Sequence, residues 1–330
     1  MPRKPALRPV RWTPPPAPFR REQPRLRQVR LLPLGATGPE DVLLDGEGGV
    51  LTGVADGRVL RVGVDGGAAR TVADTGGRPL GLEWLPDGRL LVCDAHRGLL
   101  AVDVGDGRTE VLVQEVDGAP MRFCNNAAVA PDGTIYFTDS SRRFGIEHYR
   151  GDLLEHSGTG RLLRRDPGGA VEVLLDRLQF ANGVALHPSG DWLAVAETAG
   201  YRLLWQRLVG TRAGEHGVLA DGLPGFPDNI SIGSDGLIWI ALPSPRNPLL
   251  DRLLPRAPLL RRIVWALPDV LQPAEGRSLH VLAVDADGAV VHDLRGSGED
   301  YHMVTGVRER DGVVYLGSLE ESAVAVLDVP

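Results

Sequence analysis

Six times along the chain a glycine-bearing turn runs straight into a short β-rich stretch: DGEGGVLTG, LPDGRLLVCD, APDGTIYFTD, HPSGDWLAVAE, GSDGLIWIAL and ERDGVVYLGS. Their turn glycines are Gly48, Gly88, Gly133, Gly190, Gly236 and Gly312, at intervals of 40, 45, 57, 46 and 76 residues. After most of them come a second run (GRVLRVGVD, GLLAVDVGD, GRLLRRDPG, YRLLWQRLV) and a third (ARTVADT, TEVLVQE, VEVLLDR). Units of about four strands and 40–50 residues are the blades of a propeller, because one such sheet cannot bury both faces alone and must stack on its copies. The chain is therefore expected to be all-β, a six-bladed β-propeller. The wide intervals mark insertions, one near 142–158 and a larger helical one at about 243–277, which the repeat count places between blades 5 and 6. RLRQVRLLPLG, 25–35, is the expected ring-closing strand against the last blade. Residues 1–24 read as a basic, proline-rich arm and 25–330 as one propeller domain.

Composition narrows the partners. The first 30 residues hold nine Lys and Arg against one acid, Glu22; with a net charge of −7 for the whole chain, the remainder carries about −15. An acidic body of that kind does not suit nucleic acid. WTPPPAP, 12–18, is expected to be extended polyproline-like chain, and no apolar run in the arm has the form of a secretory signal. No stretch reaches 18 apolar residues, so a soluble, cytoplasmic protein is expected. Cys93 and Cys124 are too few for a disulfide framework and lack metal-ligand spacing; both are expected to be reduced.

Eight residues before each turn glycine lies the start of a blade's innermost strand, where side chains can point into the central channel. The residues there are Glu40, Leu80, Asn125, Asn182, Asp228 and Val304. Turn chemistry accounts for each polar one singly, since Asn182-Gly183 and Pro227-Asp228 are ordinary turn pairs. Their shared position is what turn chemistry does not require. Four oxygen donors around one channel, two of them anionic, are costly to bury unless hydrogen-bonded or bound to a cation. Carboxylate and amide oxygens without sulfur or imidazole suit a hard cation. Ca²⁺ is the first candidate, another divalent cation such as Mg²⁺ the alternative, and Zn²⁺ is disfavoured because His and Cys are missing from the four positions. Such an ion would leave sites open for a substrate oxygen, and Asp228 beside it is a candidate base.

At these residues the chain resembles the strictosidine synthase-like branch of the six-bladed propeller hydrolases, with the adipocyte plasma membrane-associated protein group as the nearest pattern and the gluconolactonase/regucalcin and paraoxonase families as relatives. The similarity is carried by GPEDV (38–42), NNAAVAPDGTIYFTDSS (125–141), GRLLRRDP (160–167), VLLDRLQFANGVALHPSGDWLAVAET (173–198), GLPGFPDNI (222–230) and ERDGVVYLGS (309–318). It implies that Glu40, Asn125, Asn182 and Asp228 ligate a channel metal, with Asn229 as a fifth ligand on the paraoxonase pattern. The same pattern implies a second, structural ion using acids after the Glu and the first Asn; Asp41 matches one, but Asn126 stands where the other acid belongs. His96 loosely matches a functional histidine of the paraoxonases, as a proton shuttle or substrate contact, with an ordinary surface histidine as the alternative. Plant strictosidine synthases carry a catalytic glutamate shortly before the last blade's turn, and Thr305 stands at that position here. The resemblance thus implies metal-assisted hydrolysis of a lactone or ester, against the alternatives of a condensation or isomerisation enzyme or a noncatalytic binding propeller with a structural metal.

Two further stretches bear on the site. Asp94, Asp139 and Glu197 each end the β run that follows a turn glycine, expected as the inner strand of its blade, which reads as blade architecture, and no G-x-S-x-G nucleophile motif occurs. In RNPLLDRLLPRAPLLRRIVWALPDVL, 246–271, leucines recur at helical spacing beside Arg252, Arg256, Arg261 and Arg262. This predicts helices packed as a cap or lid, giving a small-molecule substrate with an apolar part its pocket, or else a peripheral membrane contact.

Overall fold

The computed structural model describes residues 4–16, 29–256, 258–268, 271–272 and 275–329. Six four-stranded antiparallel sheets follow one another along these residues. Their inner strands are Leu43–Leu44, Pro79–Trp84, Cys124–Val129, Ala181–Leu186, Ile230–Ile232 and Val304–Arg310. The sixth sheet is completed by Arg30–Pro33, which pairs antiparallel with Ala323–Asp328 from the other end of the chain. That pairing closes the ring and covers an edge the last blade would otherwise expose. Residues 25–28 of the expected closing stretch, like 17–24 of the arm, lie outside the described residues.

Each neighbouring pair of blades shares one apolar cluster. In the second strand of blade 2, Leu90 and Val92 pack with Leu51 and Val59 of blade 1. Leu91 and Cys93 turn the other way, onto Cys124, Ala127 and Phe137 of blade 3. Side chains alternate across a strand, and here both faces are buried, which is why LLVCD reads as an unbroken apolar run. Cys93 and Cys124 are buried and free.

Both insertions leave the same connection of their blades. The first carries helix α1, Tyr149–Glu155, between the second and third strands of blade 3. The second carries α2, Pro248–Leu253, and α3, Pro258–Ala266, between Ile238–Ala241 and Leu279–Val284 of blade 5. It therefore lies inside blade 5 and not between blades 5 and 6. The interval between turn glycines spans a whole blade and cannot say which connection was lengthened; the late runs LHVLAV and VVHDLRG after the insertion are the outer half of the same sheet. α2 starts where Pro248 follows Asn247, whose side chain accepts hydrogen bonds from the Leu249 and Leu250 amides, a good N-cap.

The apolar stripe of 246–271 divides between two faces. Leu254 and Trp265 are buried, while Leu259, Leu260 and Ile263 are exposed. Arg261 belongs to the inner set and is fully buried. Residues 4–16 cross this cap without helix or strand. Leu7 is buried against Phe144 and Trp265, the Trp265 indole donates to Pro5 O at 2.7 Å, and the Val10 amide donates to Glu155 O at 2.8 Å. Among the described residues no helix is long and apolar enough to cross a membrane.

Candidate functional site

Under the cap, at the mouth of the channel, is a cavity of about 170 Å³. Its floor holds Glu40, Asn125, Asn182, Asp228 and Thr305, and its walls include Phe123, Phe180, Phe226, Leu250, Leu253 and Val264. Backbone irregularity places the floor. In blade 3 the ladder steps from Cys124↔Asp139 to Ala127↔Phe137, and in blade 4 from Ala181↔Glu197 to Val184↔Val195. One extra residue is thereby inserted on the inner strand, a bulge, and Asn125 and Asn182 sit in it. Blade 6 bulges between Val304 and Val307, so the residue in register with the ligand positions is Thr305, and Val304 is a paired strand residue. Counting eight back misses by one there because Arg310↔Val313 closes a two-residue hairpin with Asp311 and Gly312 at φ 52° and 79°, whereas Val129↔Ile135 leaves five residues in the turn.

The second bulge residue is Gly183 in blade 4 and Gly306 in blade 6. A Cβ on Gly183 would lie 2.3 Å from Ile230 N and 2.7 Å from Asp228 O; on Gly306 it would lie 2.7 Å from Asp41 Cα. These glycines let one blade's backbone touch the next blade's ligand residue. The ring of donors is held together through them.

Each amide on the floor is anchored by its nitrogen. Asn125 Nδ2 donates to Ser140 Oγ at 2.9 Å, Asn182 Nδ2 to Thr198 Oγ1 at 3.1 Å, and Asn229 Nδ2 to Glu40 Oε1 at 3.1 Å. The other atom of every one of these groups, Oδ1 of Asn125, Asn182 and Asn229 and Oε2 of Glu40, is buried without a hydrogen-bond partner among the described residues. Leaving one buried acceptor unpaired costs about 1–3 kcal/mol, and four in one place call for a common partner. Burial pushes the Glu40 carboxyl well above its usual range, and the charges of Asp228 and Asp41 add to this. Asp228 keeps part of its surface open to the cavity, yet its desolvation, with Asp41 and Glu275 nearby, pushes it up to about 7. Two disfavoured carboxylates and three aimed amide oxygens fit a hard divalent cation. Among the described residues no three His, Cys, Asp or Glu side chains form a metal cluster; three of the five donors in this set are amides.

Asp41 and Asn126 are employed differently. Asp41 accepts from the Val42 and Leu82 amides at 2.8 and 3.1 Å, and Asn126 Oδ1 accepts from Val184 N at 3.0 Å. The Arg308 guanidinium, 3.9 Å from Asp41, donates to Val42 O and Leu82 O at 3.2 and 2.9 Å and pairs with Glu83 at 3.1 Å. Protein donors and a fixed cation thus take the place a second ion would need. Metal analysis of Ca²⁺-equilibrated protein should give one ion per chain; two would contradict this arrangement.

His96 is not brought to the floor. Its amide is tied to Asp94 at 2.9 Å, and its half-exposed ring pairs with Glu147 at 2.6 Å, outside the cavity lining. The tight turn after LLVCD carries it outward, so the shuttle role loses its geometry. His96→Ala should leave turnover within about twofold, as exposed substitutions usually do. Asp94, Asp139 and Glu197 tie strand ends to the preceding chain, as in Asp139 accepting from Phe123 N at 3.1 Å and from Arg161 at 2.7 Å. The residues that sequence reasoning missed are Ser140 and Thr198, one step further on, which orient the two asparagines. Their recurrence after Asp139 and Glu197 was the available signal.

Fold and floor together define a six-bladed propeller with an oxygen-lined pocket at its capped mouth. The strictosidine synthase family model matches residues 125–208, and the model for the strictosidine synthase-like N-terminal segment matches 22–62. Strictosidine synthase-like protein 6 of Arabidopsis thaliana is 37% identical over 302 residues, covering 88% of this chain and 79% of that one. Adipocyte plasma membrane-associated protein of Rattus norvegicus is 35% identical over 333 residues, covering 92% and 87%. The chain belongs to the strictosidine synthase-like family. A solved gluconolactonase from Xanthomonas campestris shares the fold with a TM-score of 0.67 over 93% of this chain and 91% of its own, at 19% identity.

Proposed function

We propose that the chain is a metal-dependent hydrolase of a lactone or ester. The observation that carries this is the set of four unpartnered oxygens with Asp228 at the base of an apolar cavity. Glu40, Asn125, Asn182, Asp228 and Asn229 would hold the ion, Ca²⁺ by the hardness of its donors. When bound, such a cation polarises a carbonyl and stabilises the oxyanion formed on attack. Asp228, the one floor carboxylate open to the cavity, orients the attacking water and takes its proton. The phenylalanine and leucine walls bind the apolar part of the substrate and exclude bulk water. The gluconolactonase named above supports the reading at the level of fold. Thr305 works against a condensation role: its hydroxyl donates to Glu40 O at 2.7 Å, and it offers no carboxyl for acid–base work. A peripheral membrane contact of the cap is favoured by exposed Leu259, Leu260 and Ile263 beside Arg252, Arg256 and Arg262.

The test is hydrolysis of a panel of lactones and aryl esters by the purified protein, with EDTA and with Ca²⁺ restored. Activity lost to EDTA and recovered with Ca²⁺ supports the reading. Activity absent across the panel, or indifferent to metal, refutes it for those substrates and favours a binding propeller.

A further inference from the structure

The cavity holds one more buried oxygen that nothing pairs. Glu275, from the cap segment after α3, lines the cavity with Glu40 and Asp228. Its Oε1 is taken twice, by the Tyr149 hydroxyl at 2.5 Å and by Arg150 Nε at 2.7 Å. Its Oε2 is buried and has no hydrogen-bond partner among the described residues. The Tyr149 phenol is pushed up by burial and by the Glu275 charge, so it stays protonated and keeps donating. One cation accounts for the four oxygens of the donor set; Glu275 comes from the cap and not from a blade's inner end, and its carboxylate is held by Tyr149 and Arg150. A buried, unpaired acceptor on a side chain that lines the cavity calls for a donor.

Charge decides which donor. Glu40 and Asp228 balance a divalent cation, and Glu275 is already balanced by Arg150. An incoming ammonium or carboxylate would leave an unpaired charge in a low-dielectric site, which is costly. A hydroxyl adds none. Size is bounded too, since a cavity of about 150 Å³ holds a benzene-sized body and this one measures about 170 Å³.

We propose that Glu275 is the specificity residue of this site, accepting a hydrogen bond from a hydroxyl on a neutral, ring-sized, otherwise apolar substrate. The proposal rests on the reading that this cavity receives the substrate, but not on the reaction being hydrolysis. In Glu275→Gln the amide oxygen must stay with Tyr149 and Arg150, which both donate, so the NH₂ group turns into the cavity and the site changes from acceptor to donor.

The experiment is calorimetric binding of benzyl alcohol and benzyl methyl ether, with benzoate as the anionic control, to the full chain in saturating Ca²⁺. None of these is hydrolysed, so a failure of the hydrolase reading leaves the result interpretable. The wild type should bind the alcohol about tenfold or more tighter than the ether, the range for a hydrogen bond to a charged group, and benzoate weakest. Glu275→Gln should lose or reverse the alcohol preference. Equal binding of alcohol and ether by the wild type, no binding of either at millimolar concentration, or an alcohol preference unchanged in a folded Glu275→Gln would each overturn the proposal. Should that variant fail to fold, the wild-type ranking of the three probes decides alone.

Discussion

Asp228→Asn should cut Ca²⁺-dependent turnover by about 100-fold or more, while making the metal-free protein more stable than wild type at pH 8. The first effect follows because the substitution removes both the base and one of the two charges that hold the ion, and loss of a single preorganised electrostatic group at a reacting centre costs about 10²–10³. The second follows from linkage. The folded-state value of Asp228, about 7, lies above its ordinary value. The folded protein therefore binds this proton more tightly than the unfolded chain. The associated stability is present below about pH 4 and is lost as pH rises through 7, on the order of 2–4 kcal/mol. Asparagine keeps the size and removes the charge, so melting curves in EDTA should fall less steeply between pH 4 and 8 for the variant. Glu40, Asp41 and Asp152, raised by burial as well, contribute to the remaining slope. Adding Ca²⁺ should reverse the order, because only the wild type gains fully from binding. A variant that melts below wild type both with and without metal would show that Asp228 is a structural acid and not a ligand.

Arg261→Met should loosen the cap by about 3–5 kcal/mol and leave the propeller intact. Arg261 is fully buried, and among the described residues its charge meets no carboxylate. Its Nη1 donates to Leu154 O at 2.9 Å, and its Nη2 to Val10 O at 2.9 Å and Leu254 O at 3.3 Å. Those carbonyls belong to the C-terminal ends of α1 and α2 and to the 4–16 segment, so one guanidinium joins three pieces of chain, alongside the backbone bonds from Val10 N to Glu155 O and from Trp12 N to Leu254 O. Helix ends leave their last carbonyls without internal partners. Methionine fills the volume but leaves the Leu154 and Val10 carbonyls without this donor, each costing about 1–3 kcal/mol, while Leu254 O keeps the Trp12 amide at 3.3 Å. Limited proteolysis should then cut within 142–158 or 243–277 at temperatures where the β circular-dichroism signal is unchanged. Arg262→Met, next door and exposed, should shift stability by no more than about 0.5 kcal/mol. Equal protease resistance in both variants would remove Arg261 from this role.

That pair of neighbours shows how far helical periodicity reaches. Both arginines lie on one charged stretch of 246–271, and spacing alone treats them alike. Only the packing of α3 on α1 sends one to the interior. His96 shows the same limit: the sequence reading puts it just past the inner strand of blade 2, whereas it follows the second strand, Leu90–Asp94, and its ring pairs with Glu147 from an insertion 51 residues away. Glu275 had no signature at all, since neither its neighbours nor its spacing distinguish it from any loop glutamate.

The blade repeat, the ring closure by 30–33 and the shared position of Glu40, Asn125, Asn182 and Asp228 were determined by the sequence itself, because each rests on a period that local turn chemistry repeats without reference to distant chain. Even the slip at Val304 could have been avoided from the sequence, since Gly183 and Gly306 both follow a channel residue. The tertiary structure alone decided which oxygens remain unpaired, which connection of blade 5 carries the cap, and that Arg308 stands beside Asp41. Those outcomes depend on side chains from different blades and insertions meeting in space, where satisfied donors, excluded volume and charge balance decide, and none of these is written in the order of residues along one strand.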